Sequence, residues 1–337
     1  MTISVVVPSR NEEDNIEKCI DHIYNNILPD GISIEVIIVD GLSDDNTYNK
    51  VLNLQAKYAS LRIIKNEDRT TPKAFNLGIK NSKGDYIQIV GARQFLSPNY
   101  LITSLKSFEL DDKIQCVGGA VENVFLNQKS ELIAKAMDSP FGVGGGNFRI
   151  AKSSGFVDTV GTPMYPAATF EQFGLFDELL VRNQDDEFNY RITSNGFKIY
   201  QNKDAVIQYL VRASFKNLKK QYYQYGYWKV YVNKKVKSVT TVRQLFPAIL
   251  VLSIILGGIL SLVHSIFLIL WISGMCSYIL LSFYFAFKKS SQLKEVINIV
   301  YAFYILHFSY GFGYLKGILD FIILSKGPSS KNTVISR

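Results

Sequence analysis

Two apolar runs near the end of the chain constrain its fold more than any other feature. Residues 245–263 are almost wholly apolar, His264-Ser265 interrupts, and residues 266–287 are apolar again. As a helix, either run is long enough to cross the ~30 Å hydrocarbon core of a bilayer. Lys288-Lys289 closes the second run, and no basic residue stands at the turn. That asymmetry predicts a hairpin with both ends in the cytoplasm. A third segment, 296–324, carries His307, Gly311, Gly313, Lys316 and Asp320. It spans, re-enters or lies in the interface. The competing reading of the hairpin is a buried core element.

The formal net charge is +8 over 337 residues, and its position says more than its size. Between Lys198 and Arg243 stand eleven Lys/Arg and one acid, Asp204. A basic stretch just before a membrane run suits anionic lipid headgroups. Nucleic acid is not expected, because no recognition motif accompanies the Tyr-rich tract QYYQYGYW (221–228). Cys19, Cys116 and Cys276 fit neither a zinc knuckle nor a disulfide framework, and His22, His264 and His307 lie far apart. MTISVVVPSRNEE has no basic n-region or long apolar stretch, so the globular part is expected to stay in the cytosol.

The first half alternates strands and helices. Apolar, β-branched runs at 3–8, 34–40, 61–65, 85–90 and 115–121 read as buried strands. Asn11 reads as the cap of a helix with an acidic first turn, Glu12, Glu13 and Asp14, and with one apolar face at Ile16, Cys19, Ile20 and Ile23. Thr71-Pro72 and Ser97-Pro98 open two more helices. This alternation predicts an α/β fold with a mostly parallel sheet covered on both faces. Such sheets bind ligands at the carboxyl ends of their strands, here 8–11, 40–47 and 91–95.

Three clusters carry chemistry. Asp40 ends a strand and is followed by GLSDDNT. A carboxylate there can accept hydrogen bonds from a base or ribose, or it can simply terminate a turn. Asp185-Asp186-Glu187 are adjacent carboxylates. They read as a solvated helix N-terminus or as a general base aimed into a cleft. The run GVGGGNFR (142–149) has too many glycines for a packed element. Gly144 and Gly145 would let backbone approach a substrate or supply a lid, and Arg149 can meet a phosphate. The spacing matches neither a P-loop nor a strand-coupled GxGxxG, which argues against a soluble dehydrogenase.

Together and in order, VVVPSRNEEDNIEKCI, VIIVDGLSDDNT, AFNLGIKNSKGDYIQIV and RNQDDEFNYRITSNGFKIY resemble the family 2 inverting glycosyltransferases of GT-A fold. The similarity runs over about residues 1–235. FGVGGGNFR, LVRNQDDEFNYR and QYYQYGYWK resemble the branch that includes the succinoglycan-assembly glucosyltransferase, whose members also carry C-terminal membrane segments. The resemblance implies a Rossmann-like GT-A domain over 1–235, a basic juxtamembrane segment at 236–244, a transmembrane hairpin at 245–287 and the third segment at 296–324. It implies that Pro8, Arg10, Glu12 and Asp40 line the nucleotide-sugar site, that Asp45 is structural, and that Asp185 is the base, with Asp186 one residue on as the fallback. Gln221 and Trp228 match the segment that closes over the pyrophosphate, as part of an acceptor and diphosphate loop with Gly144, Gly145 and Arg149.

The chain departs from the family at one place. The family's Asp-x-Asp, which holds a divalent cation (Mg²⁺ or Mn²⁺) on the donor diphosphate, is replaced by Gly91-Ala92-Arg93. Either Arg93 supplies the positive charge, or an ion is held by other acids and the diphosphate itself. A catalytically dead protein is the third reading. The leading expectation is a multi-pass enzyme of the plasma (inner) membrane with a cytoplasmic catalytic domain. It would move a sugar from a UDP-sugar to a polyprenyl-diphosphate-linked oligosaccharide in surface polysaccharide assembly. The alternatives are transfer to bare polyprenyl phosphate and a non-catalytic assembly subunit.

Overall fold

Val5 and Val7 point to one side of a strand and Val6 to the other, and all three are fully buried. The first strand is therefore covered on both faces. In the computed structural model, which describes residues 1–144, 153–211, 214–240 and 242–328, this strand is β1 (Thr2–Ser9). It leads into α1 (Ile16–Tyr24), β2 (Ser33–Asp40), α2 (Thr47–Leu54), β3 (Leu61–Lys65), α3 (Thr71–Lys80), β4 (Tyr86–Ile89), β5 (Gln94–Leu96), α4 (Tyr100–Ser107) and β6 (Ile114–Val124). Two helices intervene, α5 (Gln128–Met137) and α6 (Pro140–Val143). The sheet then resumes with β7 (Gly155–Phe156), β8 (Gly161–Pro166), α7 (Ala167–Phe173), α8 (Gln184–Ser194) and β9 (Lys198–Leu210). The remainder is helical: α9 (Phe215–Val236), α10 (Phe246–Leu260), α11 (Ser265–Phe287) and α12 (Leu293–Gly317), which ends in a π-helical turn over Ile318–Ile323.

The strands form one sheet in the order β3-β2-β1-β4-β8-β6-β9-β5, with β7 on β9. β3, β2, β1 and β4 are parallel, and so are β6 and β9. β8 runs antiparallel to both its neighbours, as β5 and β7 do to β9. The α/β fold class holds, with a sheet that is parallel in its first half and mixed in its second. One face of β1 and β2 packs on Ile16, Cys19, Ile20 and Ile23 of α1 and on Tyr100, Leu101 and Leu105 of α4. The other packs on Ala74 and Ile79 of α3, in a core that continues to Phe188 and Ile192 of α8.

The chain divides into two compact units, residues 1–124 with 151–210 and residues 125–150 with 211–337. The sheet and its helices make the first. In the second, α12 runs beside α9 with backbones in close approach. A Cβ on Gly313 would lie 2.1 Å from the Tyr223 carbonyl oxygen, and one on Gly226 would lie 2.1 Å from that of Tyr310. Such contact is open only to glycine. Phe141 of α6 sits among the rings of Tyr278, Phe285, Phe303 and His307 at 5.1–5.7 Å. His307 also lies 2.7 Å from the Phe141 carbonyl oxygen through Nε2.

Three helical stretches, Val242–Leu260, Ser265–Phe287 and Leu293–Ile323, are long and apolar enough to cross a membrane. The first two leave most of their apolar side chains exposed, and the third is largely buried against protein. The break between the first two is set by His264, whose Nδ1 accepts from the Ile266 N–H at 3.1 Å and caps α11. The third segment, left open between three placements by its composition, is one continuous helix through Gly317.

Candidate active site

Parallel strands expose their last carbonyls and the loops that follow at one edge of the sheet. Two of those loops are tied together. After β1, Asn11 takes a left-handed backbone (φ 55°), and after β2 Leu42 does the same (φ 52°). Non-glycine residues rarely adopt that conformation, and it is held here by side chains. The Asn11 N–H donates to Ser43 Oγ at 2.9 Å, and Asn11 Oδ1 accepts from the Asp44 N–H at 3.1 Å. Ser43 in turn donates to both oxygens of Asp40, its hydroxyl at 2.5 Å and its N–H at 3.0 Å. Asp40 is 2% exposed, and Ser43 fixes both of its oxygens at the end of β2. Asp45 Oδ1 accepts from the Thr47 N–H at 2.9 Å, and its Oδ2 from the Glu13 N–H at 3.2 Å. Its carboxyl is held below the usual range. Burial alone would raise it, but these hydrogen bonds outweigh burial. Asp45 is thus a structural residue of this junction.

Asn11 does not cap α1. Its side chain is spent across the loops, and the acids Glu12–Asp14 form a turn before the helix begins at Ile16. That turn delivers Glu12 to the end of β4. Both Glu12 oxygens accept from Arg93 Nε, at 3.0 and 2.8 Å. The Glu12 N–H donates to Thr47 Oγ1 at 2.8 Å, and Asn15 Nδ2 donates to Glu12 Oε2 at 3.0 Å. The turn carrying Arg93 is closed by Gly91 and Gln94: the Gly91 N–H donates to Gln94 Oε1 at 2.5 Å, and the Gln94 N–H to the Gly91 oxygen at 2.8 Å. Arg10 lays its side chain against Gly41, and its Nε is buried without a hydrogen-bond partner. The structure therefore brings Arg10, Glu12, Asp40 and Arg93 to the loops that follow β1, β2 and β4. Pro8, opposite Val39 in the β1–β2 register, lies just before them.

The three acids of α8 are sorted by burial. Glu187 is 2% exposed and bonds Arg191 at 2.9 Å. Arg191 donates onward to the carbonyls of Phe173 and Leu175, tying α8 to the end of α7. Phe188 anchors the helix among Phe170, Phe176 and Tyr165. Asp186 is half-buried, and Asp185 is exposed on the first turn, where the helix dipole favours a carboxylate. The Tyr165 hydroxyl is pushed well up in pKa, first by burial and then by Cys116, with the Asp185 charge adding to both.

The remaining expected residues belong to the second unit or fall outside the described residues. Gly144, Gln221 and Trp228 are in the second unit. Gln221 and Trp228 belong to helix α9 rather than to a loop. Trp228 is fully buried against Tyr227, Tyr231 and Phe321. Gly145 and Arg149 lie outside the described residues. Ser43 and Thr47, which hold the loops in place with Asn11, were not singled out from sequence, where Asn11 reads only as a helix cap. The only local signal for them was an Asx-type turn hidden in DGLSDDNT.

Do these residues fit a divalent cation? Mg²⁺ and Mn²⁺ need oxygen ligands. Gly91 brings no side chain, Arg93 brings a cation, and Glu12 is already paired with Arg93. Among the described residues no group of three His, Cys, Asp or Glu is placed to hold a metal. The residues do not fit a divalent ion held by side chains at the end of β4.

Comparison with known proteins gives one consistent answer. The family model described as Glycosyl transferase family 2 matches residues 4–160. The chain is 32% identical over 272 residues to the dolichyl N-acetyl-alpha-D-glucosaminyl phosphate 3-beta-D-2,3-diacetamido-2,3-dideoxy-beta-D-glucuronosyltransferase of Methanococcus voltae, covering 78% of this chain and 84% of that one. It is 23% identical over 322 residues to the succinoglycan biosynthesis protein ExoA of Rhizobium meliloti (strain 1021), covering 94% and 95%. Among solved structures it resembles the mannosyltransferase PcManGT from Pyrobaculum calidifontis, in complex with GDP-Man and Mn²⁺. The TM-score is 0.63 at 15% identity, over 93% of this chain and 86% of that one, a likeness of fold.

Proposed function

The chain belongs to glycosyl transferase family 2, and from that premise we propose that it moves a sugar from a nucleoside-diphosphate donor, a UDP-sugar, to a polyprenyl-linked oligosaccharide in surface polysaccharide assembly. The acceptor class is supported by the Methanococcus relative, named for a dolichyl phosphate that already carries a sugar. That name favours a glycosylated lipid over bare polyprenyl phosphate. The three membrane-length helices support an acceptor held at the membrane. The basic residues that precede them support a catalytic unit on the cytoplasmic face of the plasma membrane.

The observation that carries the catalytic reading is the sorting of the three α8 carboxylates. Glu187 is buried against Arg191, and Asp185 stands on the exposed side of the first turn. In the proposed reaction Asp185 takes the proton of an acceptor hydroxyl as that oxygen attacks the anomeric carbon. A C–O bond forms, the bond from carbon to the diphosphate oxygen breaks, and the nucleoside diphosphate leaves with the electron pair and with inversion. Pro8, Arg10, Asp40 and Arg93 bind the donor, and Glu12 orients Arg93.

The test is sugar transfer from radiolabelled UDP-sugars to membrane lipid extract. Asp185→Asn is expected to lower transfer roughly a hundredfold or more while nucleotide binding persists. If Asp186→Asn is the variant that loses activity, the base is the next residue. If neither variant changes transfer, the base assignment falls. If the native chain transfers from no donor, the assembly-subunit reading replaces this one.

A further inference from the structure

Arg93 is held in an unusual way for a surface arginine. Glu12 takes only its Nε, with both carboxylate oxygens. The two terminal nitrogens have no partner among the described residues, and the side chain is 38% exposed against 17% for Glu12. Both ends of the pair are fixed. Glu12 is anchored by Thr47 and Asn15, and the Arg93 backbone by the Gly91–Gln94 turn and by its carbonyl, which accepts from the Leu210 N–H at 3.1 Å. A carboxylate that grips Nε directs the guanidinium fork outward, and a planar fork matches a pair of phosphate oxygens. A diphosphate on that fork lies nearer the cation than the carboxylate behind it, so attraction exceeds repulsion. Arg10 offers a second guanidinium with an unpartnered, buried Nε.

We propose that the Glu12-oriented Arg93, with Arg10 of the loop after β1 as a second cation, is the built-in counter-charge for the donor diphosphate, and that this enzyme binds its nucleoside diphosphate without a divalent cation. This deepens the donor-site reading above and rests on it. Arg93 stabilises negative charge on the leaving diphosphate, and Glu12 is a positioning residue.

The experiment is isothermal titration of the full chain in detergent with UDP, GDP, uridine and guanosine, in EDTA and in Mn²⁺. For the native chain the better-bound diphosphate should have the same Kd in both buffers, within about threefold, because its counter-charge is covalently part of the protein. Arg93→Met should weaken the diphosphate roughly ten- to a hundredfold and leave the matching nucleoside unchanged. Arg93→Lys should recover only part of the loss, because it keeps the charge but not the fork. Two results overturn the inference: native diphosphate binding lost in EDTA and restored by Mn²⁺, or an Arg93→Met loss equal for nucleoside and diphosphate. The native arm needs no variant to fold. If native protein binds neither diphosphate in either buffer, the donor-site reading itself fails and takes this inference with it.

Discussion

Replacing Phe188 by alanine should loosen the first unit by an amount that its two buried cysteines can report. The Phe188 ring is fully buried, 4.7 Å from Phe176, 5.2 Å from Phe170 and 5.5 Å from Tyr165 between centroids, with the Arg191 guanidinium 4.8 Å from its centre. With neighbours on several sides the site cannot close over the space left, so the cost belongs in the range of about 3–5 kcal/mol found for such truncations. Both tryptophans, Trp228 and Trp271, lie in the second unit, so fluorescence would miss the event. Cys19 and Cys116 are fully buried in the first unit, packed against opposite faces of the sheet. Burial, with Glu12 adding, pushes the Cys19 thiol up to about 12, and burial pushes Cys116 up as well. In the folded state neither supplies thiolate to a labelling reagent, so labelling tracks opening. The exposed Cys276 is removed by Cys276→Ser. A cost of about 3–5 kcal/mol then accelerates labelling roughly a hundred- to several-thousandfold. Equal acceleration of both thiols means that the unit opens cooperatively. Acceleration of Cys116 alone means that only the α8 face yields. A change of less than about threefold at both sites would refute the packing argument.

Two further outcomes can be checked. Gly313→Ala places a Cβ 2.1 Å from the Tyr223 backbone oxygen, so α9 and α12 must separate. Fluorescence from the buried Trp228, read in a Trp271→Phe background, should shift red, whereas Gly274→Ala, whose Cβ meets nothing within 4 Å, should leave it unchanged. Glu35 provides a pH test. Burial would raise its pKa, but Ser4, the Lys83 N–H and Arg62 outweigh burial and hold it below the usual glutamate range. A depressed folded-state pKa gives stability that is present above the unfolded value and lost as pH falls through the folded one. Glu35→Gln should therefore lower thermal stability at neutral pH and flatten the decline on acidification, and an unchanged acid limb would contradict this.

The first half of the fold was legible because each of its strands carries its own signal. Runs such as SVVV and VIIV are apolar on both faces, and β1 to β4 stand within a residue or two of where those runs place them. The second half was less legible because its strands are made by partners far along the chain. β5 is three residues long and exists through its pairing with β9, and β8 holds two prolines within GTPMYP. Asn11 looked like a cap because its residue type serves caps and left-handed turns alike, and only the Ser43 and Asp44 contacts decide between them. In the site, Asp40 and the acidic triplet could be found from local pattern. The pairing of Glu12 with Arg93 spans eighty-one positions and leaves no local trace. Nor did the triplet show which of its acids is buried, since Glu187 is set apart by its burial and its pairing with Arg191.

The docking of Phe141 has a consequence in time. Helices α5 and α6 leave the ribosome about 150 residues before the helix they pack against begins. At synthesis rates of roughly 5–20 residues per second, that is a wait of about eight to thirty seconds. Throughout that interval a segment bearing Leu132, Ile133, Met137 and Phe141 must remain without its final neighbours while the sheet strands on either side of it assemble. Final packing of this segment therefore waits on synthesis of α12, and a nascent chain stalled before α12 would present that apolar segment to chaperones and proteases.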